Sequence, residues 1–266
     1  MTAPRLEVRL DLIRANAKTL VEVLAPLGVA VTGVTKAVLG APEIAREILD
    51  AGVTSIGDSR IENIERMRKI GLCPTFTLIR SPMISQADRV VAQADVSHNS
   101  ELEVVACLSK AAQEQNRAHG VLLMVELGDL REGILPAQLE DAVRRTLCLP
   151  NIVFRGIGTN LACQNGVAPD RDNMRVLSRL ANSLEATFGL SVETVSGGNS
   201  ASLGWALNSP DLGRINHLRL GEAILLGRDP LHGRPVKGLH LDAFSLVGEV
   251  IELQRKPTLP WGRIAR

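Results

Sequence analysis

Residues 31–40 read "VTGVTKAVLG", an apolar run rich in β-branched side chains that carries a single charge, Lys36. β-Branched residues suit strands, and an uninterrupted apolar run suits a strand covered on both faces, as in a parallel sheet. The stretch that follows, "APEIAREILDAG" (41–52), spaces its apolar side chains at helical intervals and stops at glycine. Strand then helix is one βα unit. Lys36 is read as closing the strand in a buried setting. An ammonium is expensive to bury unless it is paired, neutral or covalently used.

The same unit recurs outward along the chain. A helical pattern precedes it in "LDLIRANAKTLVEVLAPL" (10–27). Strand patterns follow in "VTSIGDS" (53–59), "PTFTLIRS" (74–81), "DVSHN" (95–99), "VLLMVELG" (121–128), "IVFRGIGTN" (152–160), "VETVSGG" (192–198) and "INHLRLGEAILLG" (215–227), with helical patterns between them. Eight strands alternating with helices predict parallel βαβ units, and 266 residues suit one closed (β/α)8 TIM-type barrel. A doubly wound open sheet is the alternative, and no G-x-G-x-x-G follows the first strand to favour it. After about residue 236 the pattern changes. "GLHLDAFSLVGEVIELQRKPTLPWG" (238–262) alternates like one or two antiparallel strands. The expected division is therefore a barrel over residues 1–235 and the beginning of a β-rich C-terminal domain over 236–266, incomplete because the chain stops at "RIAR".

Composition narrows the function classes. The formal net charge is +1, aromatic residues make up 2% and tyrosine is absent, so neither a nucleic-acid footprint nor a stacking surface is expected. No apolar run approaches a membrane span, and the charged N-terminus does not read as a signal peptide. Cys73, Cys107, Cys148 and Cys163 form no CxxC pair or metal-ligand spacing, so reduced thiols in a cytoplasmic protein are expected, with no metal.

Barrel enzymes place their chemistry at the C-terminal ends of the strands. The polar residues there are Lys36, Arg131, Asn160, Cys163, Ser196, Asn199, Ser200, His217 and Arg219, with Gly221 and Glu222 just beyond. Taken singly, each has a plainer reading: an edge lysine, a solvated arginine, a packed cysteine, a structural histidine. "SGGNS" (196–200) alone is a turn leading to a helix cap. Together on one rim they describe a site. "SGGNS" and "RLGEA" (219–223) offer backbone N–H groups and hydroxyls suited to a phosphate. A lysine across the mouth can form an imine with an aldehyde on the same ligand. Pyridoxal 5′-phosphate carries both groups.

The ordered set "VTKAVLG" (34–40), "GDLREGI" (128–134), "GIGTNLACQNG" (156–166), "SGGNSASL" (196–203) and "HLRLGEAILLG" (217–227) resembles the pyridoxal-phosphate enzymes of the alanine racemase barrel class. Within that class it is most similar to the alanine/ornithine racemase-like group of amino-acid racemases. The resemblance implies that Lys36 is the Schiff-base lysine. It implies that Ser200 and the backbone of Gly221 and Glu222 hold the phosphate with Asn199 beside them. Arg219 would face the pyridine nitrogen and, as a guanidinium, leave it unprotonated. Arg131 matches the arginine on the substrate side, and Asn160 stands where alanine racemases have a ring-packing histidine. The phosphate-reaching tyrosine of alanine racemase, four residues after its lysine, is Gly40 here. The tyrosine that serves as its second base has no counterpart. The implied function is racemisation of a basic amino acid such as ornithine or lysine in a homodimer. Lys36 would exchange the Cα proton on one face and Cys163 is a candidate for the other. Glu222 or Asp129 is a candidate partner for the substrate's side chain. Three alternatives stay open: a non-catalytic pyridoxal-phosphate carrier, a metal-dependent aldolase of the same barrel class, and a barrel that binds another phosphate ester.

Overall fold

A computed structural model describes residues 2–263. After β1 (Arg5–Val8) and α1 (Leu10–Leu24), the chain runs β2 (Ala30–Val34), α2 (Pro42–Asp50), β3 (Ser55–Asp58), α3 (Ile61–Lys69), β4 (Thr75–Leu78), α4 (Ala87–Gln93) and β5 (Val96–Asn99). It continues through α5 (Leu102–Glu114), β6 (His119–Met124), α6 (Leu139–Leu147), β7 (Ile152–Gly158), α7 (Arg171–Phe188), β8 (Thr194–Ser196), α8 (Leu203–Asn208), β9 (His217–Leu220), α9 (Glu222–Leu226) and β10 (Phe244–Val247). Strands β2 to β9 pair in parallel in sequence order, and β9 returns to β2 to close an eight-stranded barrel. The expected (β/α)8 architecture is the observed one.

Closure rests on a tightly specified backbone. Along β6 and β7 the register slips between Val121 and Leu122, which pair with Phe154 and Gly156. Gly156 sits there at φ 139°, and a Cβ on it would lie 2.0 Å from the Thr194 carbonyl oxygen. Only glycine fits such a bulge. The helices turn their apolar stripes inward, as with Leu12, Ile13, Ala17, Leu20 and Leu24 of α1. Asn16 on that same buried face is polar, yet fully used: it donates to the carbonyls of Ile224 and His240 and accepts the N–H of His240. It pins the segment after the barrel to α1. Helix α7 opens on a reciprocal capping box between Asp170 and Asn173 and ends on left-handed Gly189.

Two features depart from the sequence reading. The first strand ends at Val34 rather than at Lys36, and Lys36 opens a short 3-10 turn with an exposed side chain. The ladder stops because Gly40 N–H folds back onto the Thr35 carbonyl and Leu39 N–H onto that of Lys36. The buried ammonium anticipated from the apolar run is therefore a mouth-facing one. The second is β1, a strand not anticipated in "RLEV", which pairs antiparallel with β10 from Arg5↔Val247 to Val8↔Phe244. Of the one or two strands expected after residue 236, β10 is the one present among the described residues.

Candidate active site

The loops after β2, β6, β7, β8 and β9 meet over one end of the barrel. Nine of the eleven residues read onto the rim, Lys36, Arg131, Asn160, Cys163, Asn199, Ser200, Arg219, Gly221 and Glu222, line a single cavity there, together with Val34, Ile79, Met124, Glu132, Ala162 and Pro230. Ser196, the last residue of β8, does not line it, and His217 opens β9 rather than closing it and lines a cavity on the far side of the barrel. Strand direction explains the convergence, because a parallel barrel delivers every strand's C-terminus to the same rim.

Lys36 is held from below. Asp58, at the end of β3 and fully buried, accepts from Thr35 Oγ1 (2.7 Å), Asn63 Nδ2 (2.9 Å) and the Arg60 N–H (3.0 Å). The turn then leaves through Leu39 and Gly40, both at positive φ. A Cβ on Gly40 would come within 2.6 Å of Asn63 Cβ, which accounts for the glycine at this turn.

The β6 and β7 loops form the opposite wall. Glu126 accepts the N–H groups of Gly128, Leu130 and Arg131 and rounds the first loop. Asp129, also buried, accepts four N–H groups from the second: Cys163 and Gln164 on Oδ2, Asn165 and Val167 on Oδ1. Burial alone would raise its carboxyl's pKa, but those four donors outweigh burial and hold it below the ordinary value. The carboxylate is spent on loop structure and does not line the cavity, so it is removed from the candidates for a substrate partner. The loop it clamps sets Cys163 Sγ against Arg131 Nη1, while Arg131 Nε pairs with Glu132 at 2.7 Å. Leu39, Leu130 and Ala162, each within three residues of a cavity-lining side chain, have φ of 50–57°. Non-glycine residues adopt that region at a cost of order 1–3 kcal/mol, and such positions cluster at functional sites.

The floor is Arg219, 5% exposed, which donates to Ser196 Oγ and, at 2.8 Å, to the Thr159 carbonyl. Burial pushes its guanidinium down to about 10; Glu132 pulls it up and Arg131 down. It remains a cation at neutral pH. Asn199 is locked by Asn160 Oδ1, the Leu161 carbonyl and the Ala201 N–H. Ser200 Oγ receives the N–H groups of Gly221 (3.3 Å) and Ala223 (3.2 Å). Glu222 lines the rim and makes no ion pair among the described residues. Sequence reasoning missed Glu132, the Thr159 carbonyl, the Ala223 N–H and the Asp58 support. Only Glu132, adjacent to Arg131 in "LREG", carried a signal that spacing could have exposed.

Comparison with known proteins identifies the family. The family model described as "Alanine racemase, N-terminal domain" matches residues 8–229. The chain is 36% identical over 263 residues to an ornithine racemase of Acetoanaerobium sticklandii, covering 98% of this chain and 74% of that protein. It is 37% identical over 264 residues to a lysine racemase of Thermotoga maritima, covering 99% and 73%. Among solved structures, an alanine racemase of Clostridium difficile 630 superposes with a TM-score of 0.74 at 19% identity, over 93% of this chain. The chain spans 63% of that protein's length. With a family model over most of its length and relatives above one-third identity, the chain belongs to the alanine racemase family.

Proposed function

We propose that the protein is a pyridoxal 5′-phosphate-dependent racemase of a basic amino acid, of the ornithine or lysine type. The observation that carries this reading is the meeting of Lys36, Arg219, Ser200 and Gly221 in one cavity of a chain with these relatives, with the Gly221 and Ala223 N–H groups turned toward Ser200 Oγ. The donor chemistry fits the cofactor. Two backbone N–H groups converge on the Ser200 hydroxyl, a donor set of the kind that suits a phosphate. A Cβ on Gly221 would sit 3.2 Å from Val34 Cβ and its carbonyl oxygen, so that corner favours bare backbone. An exposed lysine amine shares the cavity.

When bound, the cofactor supplies an aldehyde that condenses with amines and a ring that accepts electron density from Cα. Ser200, Gly221 and Ala223 would hold its phosphate, Asn199 and Asn160 would shape the adjoining wall, and Arg219 would meet the ring nitrogen. Lys36 Nζ takes the Cα proton on one face and returns it for the reverse reaction. Cys163 Sγ, carried by the β7 loop, serves the other face, with Arg131 beside it to orient the substrate carboxylate. Glu222 is the acidic group suited to the substrate's distal ammonium. The protein works as a cytoplasmic homodimer in this reading. Its support is the family and the exposed apolar side chains of the last described segment, among them Ile251 and Trp261. Among the described residues no helix is long and apolar enough to cross a membrane.

The test is a visible-absorption titration with pyridoxal phosphate, followed by racemase assays over a substrate panel. A yellow band in the wild type that is absent in Lys36→Ala, with activity on ornithine or lysine, is the expected result. Activity on alanine alone overturns the basic-substrate assignment. Racemisation that survives Cys163→Ser in both directions removes Cys163 from its role.

A further inference from the structure

A chain of hydrogen bonds leaves the floor of the cavity and runs through the barrel interior. Arg219 Nη1 contacts Ser196 Oγ, and Ser196 Oγ lies 2.8 Å from His217 Nδ1. His217 Nε2 lies 2.8 Å from Thr32 Oγ1, which lies 2.6 Å from Ser55 Oγ. Strand pairing builds the path. Ser196 of β8 is the register partner of His217 of β9, and β9 pairs with β2, which carries Thr32. The chain ends at a polar cavity on the far side of the barrel, lined by Thr32, Ser55, Thr77, His98 and His217.

The chemistry of the first donor sets the direction of the whole chain. A guanidinium has no acceptor, so Ser196 Oγ accepts from Arg219. Its own buried hydroxyl proton has His217 Nδ1 as its one acceptor among the described residues, which sets that nitrogen unprotonated. The neutral ring therefore carries its proton on Nε2 and donates to Thr32, and Thr32 donates onward to Ser55. A proton on Nδ1 instead would leave the buried Ser196 hydroxyl proton without an acceptor among the described residues, and protons on both nitrogens would set a second cation beside Arg219.

We infer that His217 is a positioning residue: as the neutral Nε2–H form it orients the Ser196 hydroxyl and, through it, the Arg219 guanidinium that the cofactor ring meets. The surroundings agree. The charged and titratable groups acting on the ring are Arg219 from its own strand and His98 from β5, and Asp95 and Arg155 share the far cavity with it. One edge of the ring reaches the far cavity, yet protein encloses it; burial first, and then Arg219, lower its pKa to about 3. His98, pushed well below its ordinary value by burial, Arg219 and His217, adds no charge. Arg219 is thus the one cation among these three groups, and His217 holds it without competing with it. Chains of this kind strengthen each bond along them.

The inference rests on the proposed function only for its cofactor readout, so the experiment has two arms. In the cofactor-free protein, long-range ¹H–¹⁵N spectra of the five histidines, with His217 assigned from His217→Asn, report the tautomer directly. The expected result is a neutral Nε2–H ring from pH 5 to 9; an Nδ1–H tautomer or an imidazolium at pH 6 overturns the relay. In the second arm, pyridoxal phosphate is titrated into the wild type, His217→Leu, His217→Asn and Ser196→Ala. Far-ultraviolet circular dichroism verifies folding, and the small Ser196→Ala change keeps the arm decisive should His217→Leu misfold. Loss of a hydrogen bond to a charged group predicts affinity weaker by about tenfold or more in His217→Leu and Ser196→Ala, with a displaced absorption band. His217→Asn, which restores an acceptor toward Ser196, recovers both. Wild-type affinity and band in Ser196→Ala, or no recovery in a folded His217→Asn, refute the positioning role. A wild type that binds no cofactor refutes the proposed function, and the tautomer still decides the relay.

Discussion

Asp129 gives the most searching test of how the site is assembled. Its side chain joins the β6 loop, which carries Arg131, to the β7 loop, which carries Cys163, through four backbone N–H groups divided equally between its two oxygens. Asp129→Asn is nearly isosteric. It keeps one acceptor oxygen and turns an NH2 group toward the donors of the other. A hydrogen bond to a charged group contributes about 1.5–3 kcal/mol. Bonds to one carboxylate are not additive, and released loop N–H groups turn to water, so the expected loss is about 2–4 kcal/mol. Urea unfolding at neutral pH measures it. The sign of the pH dependence follows from the folded-state pKa, which lies below that of the unfolded chain, about 3.9. Asp129's contribution is complete above about pH 5 and is lost as the pH falls through the folded value. The gap between wild type and Asp129→Asn therefore stays flat from pH 8 to 5 and narrows below about 4. A gap under about 0.5 kcal/mol at pH 7, within the range of ordinary surface substitutions, or one that widens between pH 5 and 3, would refute the clamp.

Other outcomes follow from the same geometry. Gly40→Ala forces a Cβ against Asn63 at φ 63°, and is expected to cost roughly 2–3 kcal/mol in urea unfolding and to weaken cofactor binding through the Lys36 turn. Gly156→Ala meets the Thr194 carbonyl at the barrel's bulge; a loss of about 4 kcal/mol or more, or no soluble protein, is expected. Glu185, which Arg214 and the Val192 N–H hold at about 2, stabilises the fold above about pH 4 and ceases to as the pH falls toward 2; thermal melts of Glu185→Gln against wild type should converge over that window. Ser200→Ala removes the hydroxyl on which two N–H groups converge. It should raise the pyridoxal phosphate dissociation constant about tenfold in an absorbance titration while leaving the melting curve of the cofactor-free protein within a few degrees.

The amino-acid sequence by itself determined the alternation of strand and helix, the number of barrel strands and the rim positions of nine of the eleven candidate residues. Those properties are local: periodicity reports which face of an element is covered, and in a parallel barrel every strand's C-terminal residue reaches the same rim. Tertiary structure alone decided the rest. The apolar run around Lys36 hides the point where the ladder stops, because Gly40 and Asp58, not the run itself, bend the chain there. Asp129 reads as a free acid until four N–H groups from a loop more than thirty residues away are seen to occupy it. "RLEV" near the N-terminus is too short to read as a strand without β10, its partner across almost the whole chain. His217 acquires its place only when β9 closes onto β2 and brings Thr32 to one nitrogen while Ser196 meets the other. In each case the deciding partner is distant in sequence, and a hydrogen bond's direction and occupancy depend on that partner rather than on the residue's own neighbours.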